Sequence, residues 1–335
     1  MSRKRMMNPE RPNATRIDKR KLAAALERFY GLSVVRVVQM RTVCGVFTTT
    51  GERWIWKCVR RQSVIPLRLQ VQTSVSAALQ EHGIVAPMPT RNRYGEWVTQ
   101  IGTDLGYLQP WVSGRHVNLG DPSERLRAVA TLAAFHSVAG RLLLHPRPEL
   151  MRPPLCAKLA MKRDFLYAKW DQVTVCCPEA KSQAEALFSA ADLAVHAARR
   201  VHILRYAHRD MAPHNLLLQA DGNVALIDFD EAGFDDPLVD ILQCTNHGIH
   251  FGGLGAGYFC DILEAYRRNC PMDGEREQAL WAMFGFPELL YRAVLEWMRE
   301  GHADGDQRLE EALTLERMRR LVLTEERTPN GGHSR

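Results

Sequence analysis

The sequence has 335 residues, of which 46% are hydrophobic and 24% are charged, and this balance excludes a disordered or fibrous protein. Its formal net charge is +6, but residues 1–21 hold eight Lys and Arg against Glu10 and Asp18, so the rest of the chain is near neutral and no nucleic-acid partner is expected. No stretch approaches the roughly eighteen uncharged apolar residues of a membrane-spanning helix, and the polar opening segment excludes a signal peptide.

Residues 1–21 are predicted to form a basic, flexible arm. The eight cysteines form no CxxC pair and have no His/Cys ligand spacing, which indicates reduced thiols and neither a zinc site nor a disulfide framework. Together with the lack of a membrane segment, this predicts a cytoplasmic protein with no membrane partner.

Short segments of β character run from about Leu32 to Trp111, separated by glycines. One helix is predicted within them, over residues 67–80, from the mixed spacing of its apolar residues. Residues 22–112 are therefore predicted to form a lobe that contains an antiparallel sheet and one helix.

The remainder, residues 113–324, is predicted to be mainly helical, and residues 325–335 are predicted to be a flexible tail. The predicted helices cover residues 124–139, 155–171, 182–202, 259–269 and 276–299. Within this region one segment, HNLLLQADGNVALIDFD, has the pattern of a β-hairpin with its turn at Asp221-Gly222.

Polar side chains that suit phosphoryl transfer flank this hairpin. Asp210 and Asn215 precede its first strand in HRDMAPHN, and Asp228 follows its second strand in IDFD. The hairpin would bring the three to one end, where Asn215 and Asp228 would supply oxygen ligands for Mg²⁺. Asp210 would then be the carboxylate near an acceptor hydroxyl.

HRDMAPHN followed by LIDFD resembles the catalytic loop and metal loop of the kinase superfamily. The aminoglycoside phosphotransferase-like, small-molecule branch fits better than the protein kinases, because Asp230 replaces a glycine and no long activation loop or Ala-Pro-Glu follows. The wording RDMAPHNLL is also similar to bacterial spore-coat kinase-like proteins. The resemblance implies an α+β, protein-kinase-like fold of two lobes, with ATP and Mg²⁺ as cofactors.

The resemblance also implies roles for other residues. Lys57, on the third strand, would hold the α- and β-phosphates of ATP, and Asp240 and His208 would support the catalytic loop. Residues of the connector, Gln109, Pro110 and Val112, would form the hinge that binds adenine through the main chain.

The sequence departs from the family pattern in the helix over 67–80, which has no acidic residue to pair with Lys57. The leading hypothesis is transfer of the γ-phosphate of Mg-ATP to a hydroxyl of a small molecule, such as a sugar, an aminoglycoside or an amino alcohol, with Asp210 as proton acceptor. The alternatives are a non-catalytic kinase-like structural protein, for instance of a spore coat, and a protein kinase.

The acceptor carries no signature in the sequence. Lys158, Lys162 and Arg163 indicate either an anionic partner or a solvated helix face.

Overall fold

The computed structural model describes residues 18–59, 62–300 and 305–327, and the chain divides into two units. The N-terminal unit comprises the described residues up to Glu81 together with Val85–Ser113, and the C-terminal unit comprises His82–Ile84 and the described residues from Gly114 onward. The change of unit after Ser113 lies one residue beyond the predicted boundary at 112.

The N-terminal unit is an antiparallel sheet with helices. Its elements are α1 (Lys19–Tyr30), β1 (Val34–Met40), β2 (Val43–Thr48), β3 (Arg53–Val59), α2 (Ile65–Glu81), β4 (Thr99–Ile101) and β5 (Asp104–Pro110). The strands are ordered β1-β2-β3-β5-β4, and every neighbouring pair is antiparallel. This confirms the predicted sheet.

The two faces of this sheet are covered by different helices because side chains alternate along β3. Trp56 belongs to a buried cluster with Leu22 and Leu26 of α1. On the opposite face, Val59 packs against a cluster that includes Leu69 of α2 and Tyr107. Lys57 shares the face of Val59 and therefore lies on the side of α2.

The prediction of a single helix in this unit was wrong, because α1 precedes the sheet. The side chain of Asp18 accepts hydrogen bonds from the backbone N–H groups of Arg20 and Lys21, which caps the helix at its start. Its Lys- and Arg-rich first turn was assigned to the flexible arm, although Leu22 and Leu26, four residues apart, are fully buried. Residues 1–17 of the predicted arm lie outside the described residues.

The C-terminal unit is mainly helical, as predicted. Its elements are β6 (Arg115–His116), α3 (Pro122–Arg141), α4 (Leu155–Cys176), α5 (Ala184–Arg200), β7 (Arg205–Ala207), β8 (Leu216–Leu218), β9 (Val224–Leu226), β10 (Gly233–Asp235), α6 (Leu238–Gly252), α7 (Tyr258–Arg267), α8 (Gly274–Phe284), α9 (Glu288–Glu300) and α10 (Gly305–Arg327). The predicted hairpin is β8 paired with β9, and Gly222 has a φ of 85° in its turn. No helix among the described residues is long and apolar enough to cross a membrane.

The helix predicted over 276–299 is two helices, α8 and α9, separated at residues 285–287. Pro287 has no N–H to continue the helical ladder and disfavours helical geometry at Phe286, so the chain turns there. The start of the predicted tail is also helical, because α10 continues to Arg327. Residues 328–335 of that tail lie outside the described residues.

Candidate active site

Asp210 and Asn215 lie in the loop between β7 and β8, and the structure joins them directly. The Asn215 Nδ2 amide donates to the backbone oxygen of Asp210 at 2.8 Å and to its Oδ2 at 2.9 Å. Asn215 is 1% exposed, whereas Asp210 is only partly buried. The buried amide therefore orients a carboxylate that remains accessible.

Asp228 follows β9, and backbone hydrogen bonds connect its segment to the Asp210 loop. The N–H of Ile227 donates to the backbone oxygen of Asn215 at 3.0 Å, and His208 Nε2 donates to the backbone oxygen of Ile227 at 2.9 Å. Asp228 has a φ of 63° and a ψ of 64°, a left-handed conformation that is costly for a residue with a Cβ. Such strained residues cluster at functional sites.

The donor set at this end of the hairpin suits a hard cation. Because Asn215 donates to Asp210 through Nδ2, its amide oxygen Oδ1 is the atom that can serve as a metal ligand. Among the described residues no group of three or more His, Cys, Asp and Glu side chains is arranged to hold a metal. Mg²⁺ sites of nucleotide enzymes use one or two protein ligands and complete the shell with phosphate oxygens and water, so an amide oxygen and one carboxylate are compatible with that type.

Asp240, on α6, fixes the backbone that leads into Asp210. Its fully buried carboxylate accepts from the N–H of His208 at 2.7 Å and the N–H of Arg209 at 2.6 Å. His136 Nε2 lies 3.0 Å from its Oδ2. Burial opposes the charge on Asp240, yet these hydrogen bonds hold the pKa of the carboxyl below its ordinary value. The supporting role of Asp240 in catalysis stays a prediction.

The His208 side chain is fully buried. Since a carbonyl only accepts, Nε2 carries the proton that it donates to Ile227. Nδ1 is buried with no hydrogen-bond partner in the part of the chain that the structure describes. Burial lowers the pKa of His208, with the Asp240 charge opposing the shift only partly. The neutral ring packs 4.7 Å from the ring of Phe229, the residue after Asp228.

Gln243 is a supporting residue that sequence reasoning missed. Its Oε1 accepts from the N–H of Met211 at 2.9 Å, and its Nε2 donates to the backbone oxygen of Arg209 at 3.0 Å. One side chain thus holds the backbone on both sides of Asp210. The signal was its spacing, because Gln243 follows Asp240 by three residues and lies on the same face of a helix. No helix was predicted there.

In the N-terminal unit, Lys57 is 6% exposed, and its Nζ lies 6.0 Å from the centroid of the Tyr107 ring. As predicted from the sequence, α2 holds no acidic residue before Glu81. Its buried Gln72 donates from Nε2 to the backbone oxygen of Pro87 at 3.1 Å, which ties the helix to the following loop. The burial of Lys57 excludes a simple solvated lysine, and its contact with phosphates stays a prediction.

The predicted hinge residues are at the end of β5. Gln109 is 6% exposed and pairs with Ile55 of β3, and the N–H of Trp111 donates to the backbone oxygen of Arg53 at 3.0 Å. Because carbonyls alternate along an extended strand, the carbonyl of Pro110 points to the edge away from β3. That edge is the one the predicted adenine contacts of Pro110 and Val112 require, and the contacts themselves stay a prediction.

Comparison with known proteins agrees with this geometry. The family model described as the phosphotransferase enzyme family matches residues 46–277. A comparison with curated protein sequences finds no significant match. The aminoglycoside phosphotransferase from Alicyclobacillus acidocaldarius is similar in structure, with a TM-score of 0.72, 16% identity, and coverage of 89% of this chain and 94% of that chain.

Two further solved structures share the fold. The amicoumacin kinase hAmiN has a TM-score of 0.62 at 16% identity, covering 92% of this chain and 94% of its own. A spectinomycin phosphotransferase has a TM-score of 0.58 at 11% identity, covering 91% and 99%. At these identities the structures show the fold, whereas the family model matches more than half of the sequence. The predicted resemblance is confirmed: the chain belongs to the phosphotransferase enzyme family.

Proposed function

We propose that the protein transfers the γ-phosphate of Mg-ATP to a hydroxyl group of a small molecule. The observation that carries the proposal is the pair of hydrogen bonds from Asn215 to Asp210, at 2.8 and 2.9 Å, inside a loop that α6 holds at its backbone. A carboxylate fixed in this way is placed to orient an acceptor hydroxyl and to accept its proton as the bond to phosphorus forms.

The remaining roles follow from the chemistry of the donor groups. Asn215 Oδ1 and the Asp228 carboxylate would hold Mg²⁺, which when bound neutralises negative charge on the phosphate oxygens. In the N-terminal unit, Lys57 would hold the α- and β-phosphates, and Gln109, Pro110 and Val112 would form the adenine-binding segment. Solved proteins of this fold were captured with ADP and spectinomycin, and with AMP-PNP, Ca²⁺ and amicoumacin, which supports a nucleotide and a small acceptor here.

The two rival functions have less support. A protein kinase would need a peptide-docking segment after the metal loop, yet β10 begins at Gly233 and α6 at Leu238, which leaves room for no long activation loop. A non-catalytic structural role, such as the spore-coat alternative, receives no support from the comparisons. It would also leave the strained conformation of Asp228 without a purpose.

The test compares wild type with Asp210→Asn in two measurements. Thermal unfolding with and without Mg-ATP reports nucleotide binding, since a ligand at a hundred times its Kd adds about 2.7 kcal/mol of stability. Labelled ATP with a panel of sugars, aminoglycosides and amino alcohols reports transfer. We expect both proteins to bind Mg-ATP and only wild type to form a phosphorylated product. Equal turnover by Asp210→Asn would refute the role of Asp210, and the absence of any nucleotide-dependent shift would refute ATP binding.

A further inference from the structure

An open pocket lies inside the C-terminal unit, between α4, α6 and α9. Its cavity volume is about 70 Å³ and it opens to solvent, so it would take only a small molecule or one group of it. Leucines and other apolar side chains of α4 and α6 form its walls. Its polar lining includes Lys158 and Lys162 from α4, Gln243 from α6, and Glu288 and Arg292 from α9.

Gln243 connects this pocket to the proposed site of chemistry. The same side chain that lines the pocket bonds the backbone of Arg209 and Met211, the two neighbours of Asp210. A molecule in the pocket would therefore lie beside the loop that carries Asp210. This position suits the phosphate acceptor.

The polar lining carries an excess of positive charge. Lys158 Nζ lies 2.5 Å from Oδ2 of Asp235, whose side chain is fully buried, and Lys162 Nζ lies 2.7 Å from Oε1 of Glu288. Both carboxylates are thus engaged by lysines. Arg292 is the third cation of the pocket and shares Glu288 with Lys162, at 3.6 Å from its Nε to Oε1. Among the described residues, three cations of this lining thus share two carboxylates.

Arg292 is the group best placed to meet a ligand. Its side chain is 35% exposed, and within the described residues its polar contacts are long, at 3.6 Å to Glu288 and 3.5 Å to Nε2 of His247. His247 adds no further positive charge, since burial and the neighbouring Arg292 lower its pKa to about 3 and leave the imidazole neutral. A guanidinium in this setting presents donors in the planar arrangement that matches a carboxylate or a phosphate.

Building on the phosphotransferase function proposed above, we propose that this pocket binds the acceptor and that Arg292 selects a small hydroxy compound carrying an anionic group. Polycationic acceptors such as aminoglycosides fit poorly, because a like charge placed against Arg292, Lys158 and Lys162 is repelled and finds both carboxylates already paired. The anionic group would bind at Arg292, and the hydroxyl would point to Asp210.

The test uses acceptors that differ in the charge of one terminal group. Glycerol, glycerate, glycerol phosphate and aminopropanediol share one carbon skeleton, and the same four forms on four- and six-carbon polyols extend the series. Product formation from Mg-ATP is followed by mass spectrometry, and binding of each compound is followed by thermal unfolding with the nucleotide site saturated by Mg-AMP-PNP. We expect binding and phosphorylation of anionic members, and the carboxylate and phosphate arms show which anion is preferred.

Arg292→Gln should raise the KM for an anionic acceptor by about 10- to 150-fold, the range expected for a hydrogen bond to a charged group, and should abolish the acceptor-induced thermal shift. Arg292→Lys, which keeps the charge but loses the planar donors, should give an intermediate KM and guards against a folding defect in the first variant. Arg299→Gln is the matched control, because Arg299 is exposed on the same helix α9 and should leave the KM unchanged.

Phosphorylation that favours the neutral or amine compounds would overturn the proposal. So would anionic compounds that do not bind, or that bind wild type and Arg292→Gln equally. Binding of the anionic compounds can also be scored without nucleotide, so an inactive protein that still shows Arg292-dependent binding would refute the phosphotransferase function and leave the anion site standing. Mg-ATP turnover without a preference for anionic acceptors would refute the anion site and leave the phosphotransferase function standing.

Discussion

Replacing Asp240 by Asn tests whether this carboxylate holds the catalytic loop. Oδ2 accepts from the N–H of His208 and lies 3.0 Å from His136, whereas Oδ1 accepts from the N–H of Arg209 at 2.6 Å. An amide has one oxygen and one NH₂ group. Whichever way the amide of the replacement side chain is turned, its NH₂ group faces the backbone N–H of either His208 or Arg209. Both N–H groups are buried donors that need an acceptor at this distance.

The loss can be sized from this geometry. One charge-assisted hydrogen bond is lost and one buried donor is left without an acceptor, and together these cost about 3 kcal/mol of unfolding free energy. At roughly 2–4 °C per kcal/mol for a unit of this size, Tm should fall by about 6–12 °C. The kcat should fall as well, since Arg209 directly precedes Asp210.

Urea unfolding followed by circular dichroism measures the free energy of wild type and Asp240→Asn under identical conditions. Asp171→Asn is the matched control, because Asp171 is exposed on α4 and the same change of charge should alter stability by less than about 0.5 kcal/mol there. A loss below about 1 kcal/mol for Asp240→Asn would refute the reasoning, since the buried donors would then have found other partners.

Three further predictions concern other elements. Gln243→Leu should lower kcat about 10- to 100-fold and leave the KM for Mg-ATP unchanged, because the backbone on both sides of Asp210 loses its hydrogen bonds to the Gln243 side chain. Steady-state kinetics measure both constants, and a kcat equal to that of wild type would contradict this prediction. Because the folded-state pKa of His247 is lowered to about 3, its contribution to stability is fully present above pH 6.5 and falls by about 1.4 kcal/mol per pH unit as the pH drops toward 3. Urea midpoints measured at several pH values should therefore depend less steeply on pH for His247→Leu than for wild type. An equal pH dependence of the two proteins would contradict this prediction. Gly106→Ala would place a Cβ 2.4 Å from the ring of Trp56 and 2.6 Å from the backbone oxygen of Lys57, so Tm should fall by several degrees. An unchanged Tm would contradict this and would show that β3 and β5 can move apart at little cost in stability.

Local patterns were sufficient to predict the hairpin that carries the candidate site residues lying close together in sequence. Asp210, Asn215 and Asp228 lie within nineteen positions, on the two flanks of one hairpin whose turn, Asp221-Gly222, is a strong signal. The sidedness of β3, with Lys57 opposite Trp56, followed in the same way from strand alternation. In both cases the pattern of side chains within one short segment was enough to predict the arrangement.

The residues that were missed depend on contacts distant in sequence. Gln243 reaches Met211 across 32 positions, and Arg292 reaches His247 across 45. No spacing rule connects such pairs, because α6 and α9 become neighbours only when the helical unit packs. The missed helix α1 has a different cause, since the charges of its first turn masked the buried pair Leu22 and Leu26.

A crystal structure of the protein with Mg²⁺ and AMP-PNP is the most direct test of the central claim. The account predicts a metal ion at about 2.1 Å from Asn215 Oδ1 and from a carboxylate oxygen of Asp228, with the γ-phosphate facing Asp210. A nucleotide bound with its metal held by other side chains, or with the γ-phosphate directed away from Asp210, would contradict it.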